Sequence, residues 1–206
     1  MPYPFSKSET IADGVVHTAG LAFALPATLV LLMQAGGDVP KLTAVLLYGL
    51  SMVGAFAASA IYHMSPLDRT RPLLNRIDHA AIYFKIAGTY TPLVVVLGSG
   101  FAYGILGIVW ALAFLGAIAK LRGWATDARG SLALYLGMGW LSTLLIWPMW
   151  TTLPGPALVL VAIGGAIYSL GTIVYARERL AYQNAIWHGF VLTASVCFFA
   201  AISISL

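Results

Sequence analysis

Seven stretches of this chain are long and apolar enough to cross a bilayer, and that single feature removes most folds from consideration. A helix needs about 20 mostly apolar residues to span about 30 Å of hydrocarbon. The stretches cover residues 12–34, 42–63, 78–98, 102–119, 131–150, 156–176 and 185–205 of a 206-residue chain. Apolar residues run continuously through them rather than alternating, so helices are expected and not the strands of a barrel. Apolar residues make up 60% of the chain and charged residues 9%, against about 25% charged in a soluble domain. A core of this size cannot hide so much apolar surface from water, and lipid must cover the excess. The expected fold is an all-α membrane protein, a seven-transmembrane helix bundle forming one domain over residues 1–206. Breaks fall at turn-forming segments: Gly36-Gly37-Asp38-Val39-Pro40, Ser65-Pro66, Gly98-Ser99-Gly100 and Pro154-Gly155-Pro156. The first apolar run, Val15 to Met33, is long for a signal peptide, so an uncleaved first span is expected.

Lysine and arginine set the orientation. Lys7 precedes the first span. The successive loops then hold Lys41; Arg69, Arg71 and Arg76; none; Lys120, Arg122 and Arg129; none; and Arg177 with Arg179. Alternate segments carry nine basic residues against one, and the richer side belongs in the cytoplasm. The N-terminus is therefore expected inside and the C-terminus outside, in a multi-pass protein of the plasma (inner) membrane. This distribution, in short loops between apolar runs, also accounts for the net charge of +4 without a nucleic-acid partner. Glycines such as Gly20, Gly54, Gly88, Gly107 and Gly164 suit close helix packing in lipid. Trp124, Trp140, Trp147 and Trp150 are expected mostly as interfacial anchors, with packing inside the bundle open to Trp140. The single cysteine, Cys197, sits in an apolar run and has no internal disulfide partner.

Polar residues inside the spans are few, and they repeat a pattern. Glu9, Asp13 and His17 lie at i, i+4 and i+8 on one face of the first helix. Ser59 and His63 are four apart at the end of the second. Asp78 and His79 open the third, with Lys85 seven residues after Asp78. Asn184 and His188 are four apart at the start of the seventh, and Ser195 follows on the same face. With the topology above, all four histidines fall toward the cytoplasmic side. Ionisable groups in a span cost about 2.5–3.5 kcal/mol at the bilayer centre and are functional by default. Histidine with carboxylates suggests zinc, held at catalytic sites by three protein ligands and able to activate water. Plainer roles stand beside this one. Glu9 and Asp13 suit the positive end of a helix, His17 a satisfied helix end, His79 the headgroup region, and Lys85 snorkelling or pairing with Asp78. The function reading is favoured for His63 and His188.

The ordered set Ser59-Ala60-Ile61-Tyr62-His63, Asp78 and Asn184-Ala185-Ile186-Trp187-His188 resembles the hemolysin III family. That family is grouped with the progestin and adipoQ receptors and is more distantly similar to alkaline ceramidases. Glu9 to Gly20 also looks like its bacterial members, so the resemblance spans essentially the whole chain. It implies a zinc site supported by a serine and an aspartate, with His63 and His188 as metal ligands and Ser59 and Asp78 as catalytic, water-orienting groups. Asn184 stands where the wider pattern has a histidine, and a carboxamide is a poor zinc ligand. Asp78, His17, Asp13 or Asn184 itself are the candidate further ligands, with a nearby carboxylate or His17 favoured. The implied activity is zinc-dependent hydrolysis of lipid amides or esters, with membrane lipid as partner. The alternatives are a non-enzymatic receptor-like or membrane-homeostasis protein that binds lipid or metal, and the cytolysin that the family name implies. No broken-helix pair or midplane acid marks a transport path.

Overall fold

A computed structural model describes residues 6–123, 128–177 and 179–206 of the chain. The described residues form α1 (Lys7–Ala35), α2 (Val39–Met64), α3 (Arg71–Leu97), α4 (Gly100–Leu121), α5 (Ala128–Trp140), α6 (Ile146–Thr152), α7 (Gly155–Tyr175) and α8 (Gln183–Ser205). A 3₁₀ segment, Leu141–Leu145, joins α5 to α6, and the three together make one crossing over Gly130–Thr152. Seven helical stretches among the described residues are thus long and apolar enough to cross a membrane, as expected.

Each break has a local cause. Ser6 and Glu9 form a capping box at the start of α1. Gly36 ends that helix with φ 58°, a region where a side chain would be strained. Asp38 and Ser99 cap α2 and α4 by accepting the backbone N–H groups of Lys41 and Ala102. The third helix begins at Arg71, seven residues before the expected start. Pro72 suits the first turn of a helix, and the polar residues there continue α3 beyond its apolar part. The break at Leu141–Leu145 was not expected. Ser142 and Thr143 turn their hydroxyls onto the carbonyls of Gly139 and Trp140, three residues back, in the tighter helix that this spacing fits.

The helices pack in sequence order, α1 on α2, α2 on α3, α3 on α4 and α7 on α8, and α8 closes back on α1. The first and last spans therefore lie side by side, which brings the polar faces of α1 and α8 together. Several glycines sit where backbones approach. A Cβ on Gly88 would collide with the Ser51 side chain and lie 3.3 Å from the Leu47 carbonyl, and one on Gly116 would lie 2.6 Å from the Tyr83 ring. Gly54 and Gly107 face open space and have no such role. Gly88→Val is expected to push α2 and α3 apart and cost about 1–3 kcal/mol or more. A thermal-unfolding midpoint in detergent lower by several degrees would show it, whereas Gly54→Val should leave the midpoint unchanged. Trp140 lies mid-span and is 60% exposed, and Trp147 and Trp150 are also exposed, so none of the three is buried in the bundle core. Trp124 lies outside the described residues.

Candidate metal centre

The site forms where the starts of α1, α3 and α8 meet the end of α2. Alternating helix direction puts those four ends at one side of the bundle. Asp13 and His17 are one turn apart on the buried face of α1. His63 comes from the last turn of α2, and His188 from the second turn of α8. One side-chain donor atom from each of these four residues lies within 4.8 Å of the others, a group that can hold a metal ion.

Asp13 is the hub. Its Oδ1 accepts from His188 Nδ1 at 2.7 Å, since an ionised carboxylate can only accept. Its Oδ2 lies 3.2 Å from His63 Nδ1 and 3.5 Å from His17 Nε2. The three imidazole rings crowd together, with centroids 4.4–5.3 Å apart. Asp13 and His17 are each 3% exposed. Asp13 Oδ2 and His17 Nε2 are buried with no hydrogen-bond partner, although they face each other. Buried polar atoms are nearly always satisfied, and an exception calls for an explanation. A cation at their meeting point would satisfy both. Imidazole nitrogen and carboxylate oxygen also suit zinc and other first-row divalent ions. The residues present therefore fit a metal.

The other expected residues border this group. Ser59 Oγ lies 3.4 Å from His188 Nε2. Asp78 Oδ2 lies 3.9 Å from His63 Nε2. Asn184 Nδ2 lies 3.4 Å from His63 Nδ1, so the carboxamide faces the ring of one of the four residues. His79 is half-buried and lines the cavity described below. Its Nδ1 bonds the Asn75 carbonyl at 2.8 Å and its Nε2 meets the Tyr175 hydroxyl at 3.3 Å. Ser195 is elsewhere, bonded to the Val191 carbonyl and 3.4 Å from the Tyr168 hydroxyl.

Glu9 belongs to the frame around the site. One carboxylate oxygen closes the capping box of α1, and the other accepts the Tyr182 N–H at 2.9 Å. Tyr182 has a left-handed backbone, φ 57°, and begins α8 with no cap from its own side chain. One acid thus fastens together the starts of the two helices that carry Asp13, His17 and His188.

A cavity of about 1330 Å³ opens beside the cluster. His17, His63, His188, Ser59 and Asp78 line its polar end, and Asp13 stands behind the imidazoles, out of the lining. The rest of the wall is largely apolar, with Leu93, Leu97, Met149 and Leu158 along it. The volume exceeds the 300–1,000 Å³ common for small-molecule sites.

Comparison with known proteins agrees with this architecture. The family model described as "Haemolysin-III related" matches residues 5–199. The chain is 34% identical to the "Hemolysin-3 homolog" of Bacillus subtilis (strain 168) over 198 residues, covering 95% of this chain and 93% of the relative. It is 35% identical to the "Hemolysin-3" of Bacillus cereus over 194 residues, covering 93% and 89%. A more distant likeness, 30% over 163 residues and 76% and 67% of the two chains, is to the "Monocyte to macrophage differentiation factor" of Homo sapiens. A match over nearly the whole length, on a seven-span bundle with a buried aspartate–histidine group, makes this chain a multi-pass membrane protein of the haemolysin III family.

Proposed function

We propose that the protein is a zinc-dependent hydrolase of lipid amides or esters, embedded in the plasma membrane with its N-terminus and its site at the cytoplasmic side. The observation that carries this is the meeting of a metal-binding donor set with the polar end of a large apolar cavity. His17, His63 and His188, anchored by Asp13, would hold the ion. When bound, zinc supplies Lewis-acid polarisation of a carbonyl and a nucleophile at neutral pH. Asp78 is poised at the cavity end, 3.9 Å from His63, to accept a proton as general base. The Ser59 hydroxyl, beside His188, is poised to donate a hydrogen bond to charge developing on a substrate oxygen. The apolar wall gives acyl chains a place to lie while the headgroup reaches the polar end. The nine-to-one distribution of basic residues supports the cytoplasmic placement.

A non-enzymatic, receptor-like or homeostatic role is the alternative, and one observation favours it. Four protein donors lie within mutual reach, whereas catalytic zinc usually has three and an open position. A closed four-ligand site would fix the helices and leave the cavity as a binding chamber. Lysis, carried by the names of the Bacillus relatives, is the weakest of the three proposals because it uses neither the cluster nor the cavity. Mass-spectrometric turnover assays on purified protein, with ceramides and lysophospholipids as substrates, separate the first two. Hydrolysis that falls at least about 100-fold in both His188→Ala and Asp78→Asn supports the enzyme, on the scale of lost general acid–base catalysis. Metal-loaded protein that binds these lipids and turns over none of them supports the alternative.

A further inference from the structure

The cavity holds a second polar feature that the metal cluster does not use. Lys85 lies two turns along α3 from Asp78, about 10 Å at 1.5 Å per residue. It is 7% exposed and lines the cavity, and its Nζ makes no hydrogen bond. It neither snorkels to an interface nor pairs with Asp78. The ammonium instead rests 4.3 Å from the Phe56 ring centroid and 5.5 Å from that of Tyr168. Ring faces attract a cation but offer no lone pair to its three N–H donors. The hydroxyl of Tyr168, whose ring the ammonium faces, meets Ser195 and does not complete the shell. A charge in the hydrocarbon zone without a counter-charge is costly enough to need a purpose.

We propose that Lys85 anchors the carboxylate of a single-chain amphiphile whose tail lies in the apolar part of the cavity, at a site separate from the Asp13–His17–His63–His188 cluster. A carboxylate matches the single positive charge and accepts several N–H bonds. A phosphate monoester would leave excess negative charge buried. Beyond Lys85 the α3 wall continues through Leu93 and Val94 to Leu97, about 18 Å further on, which gives a long tail an apolar bed.

Binding of radiolabelled palmitate to the purified full chain in detergent tests this at a pH where the carboxylate is ionised. Saturable binding is expected, at least ten-fold weaker in Lys85→Met and within about three-fold of the original in Lys85→Arg. Methyl palmitate, with the same tail and no charge, should compete at least ten-fold less well than palmitate. Lys85→Met removes a buried charge, so its thermal midpoint should rise, and palmitate should raise the midpoint of the original chain but not that of the variant. Three results would overturn the proposal: palmitate binding unchanged in Lys85→Met, binding abolished by His188→Ala instead, or stronger competition by hexadecyl phosphate than by palmitate. Palmitate has no amide or ester to cleave. A protein that turns over no lipid yet binds palmitate through Lys85 sinks the hydrolase and leaves this site standing.

Discussion

His17→Ala should strip the protein of metal as completely as His188→Ala, while Asn184→Ala should not. The wider sequence pattern puts an imidazole where this chain has Asn184, which would make position 184 the natural third ligand. In the folded chain the third imidazole beside His63 and His188 is that of His17, from α1. His17 Nε2 is buried, has no hydrogen-bond partner and faces Asp13 Oδ2 at 3.5 Å. Asn184 reaches only the edge of the group, 3.4 Å from His63, where an amide can orient the ring but is a poor ligand. Partners that orient ligands contribute about 10–100-fold to metal affinity. Asn184→Ala is expected at the low end of that range, and His17→Ala beyond its upper end. Elemental analysis of purified variants, followed by competition with a chelator of known affinity, measures both. Equal metal content in the original chain and His17→Ala would move the third ligand elsewhere.

Asp13→Ala should do more damage still, because it removes the acceptor on which three rings from three helices converge. Hydrogen bonds to a charged group contribute about 1.5–3 kcal/mol, and His188 makes a 2.7 Å contact of that kind. Losing it takes away a tie between α1 and α8 and leaves buried ring nitrogens unpaired. Metal is expected to be lost and the thermal midpoint to fall by several degrees. Asp13→Asn separates the two effects. It keeps the shape and one carbonyl acceptor but not the negative charge, so it should lose most of the metal and keep most of the stability. An Asp13→Asn variant with unaltered metal affinity would reduce Asp13 to a structural group.

Much of this was legible before folding because lipid writes its demands into composition. Seven apolar runs gave seven crossings, and glycine, proline and capping residues gave the breaks. Less legible were features that depend on neighbours. The start of α3 at Arg71 lies in polar sequence that an apolar count passes over, and the 3₁₀ break at Leu141–Leu145 leaves no glycine or proline within it. The i, i+4 spacing of Asp13 and His17 was visible, and so was the asparagine at position 184 where the wider pattern has an imidazole. That His17 would meet His63 and His188 depends on α8 packing back against α1, a contact between opposite ends of the chain. Lys85 is the same kind of case. Its position in a span was plain, but its contact with Phe56 and Tyr168 rather than Asp78 follows from which faces of α2 and α7 meet it.

Zinc-edge X-ray absorption on the protein as purified, from cells grown with zinc, tests the central claim most directly. The expected result is one zinc per chain, bound by nitrogen and oxygen at about 2.0–2.1 Å with no sulfur shell, and absent from His17→Ala. A chain that contains no stoichiometric metal and takes up none when zinc is added would contradict it.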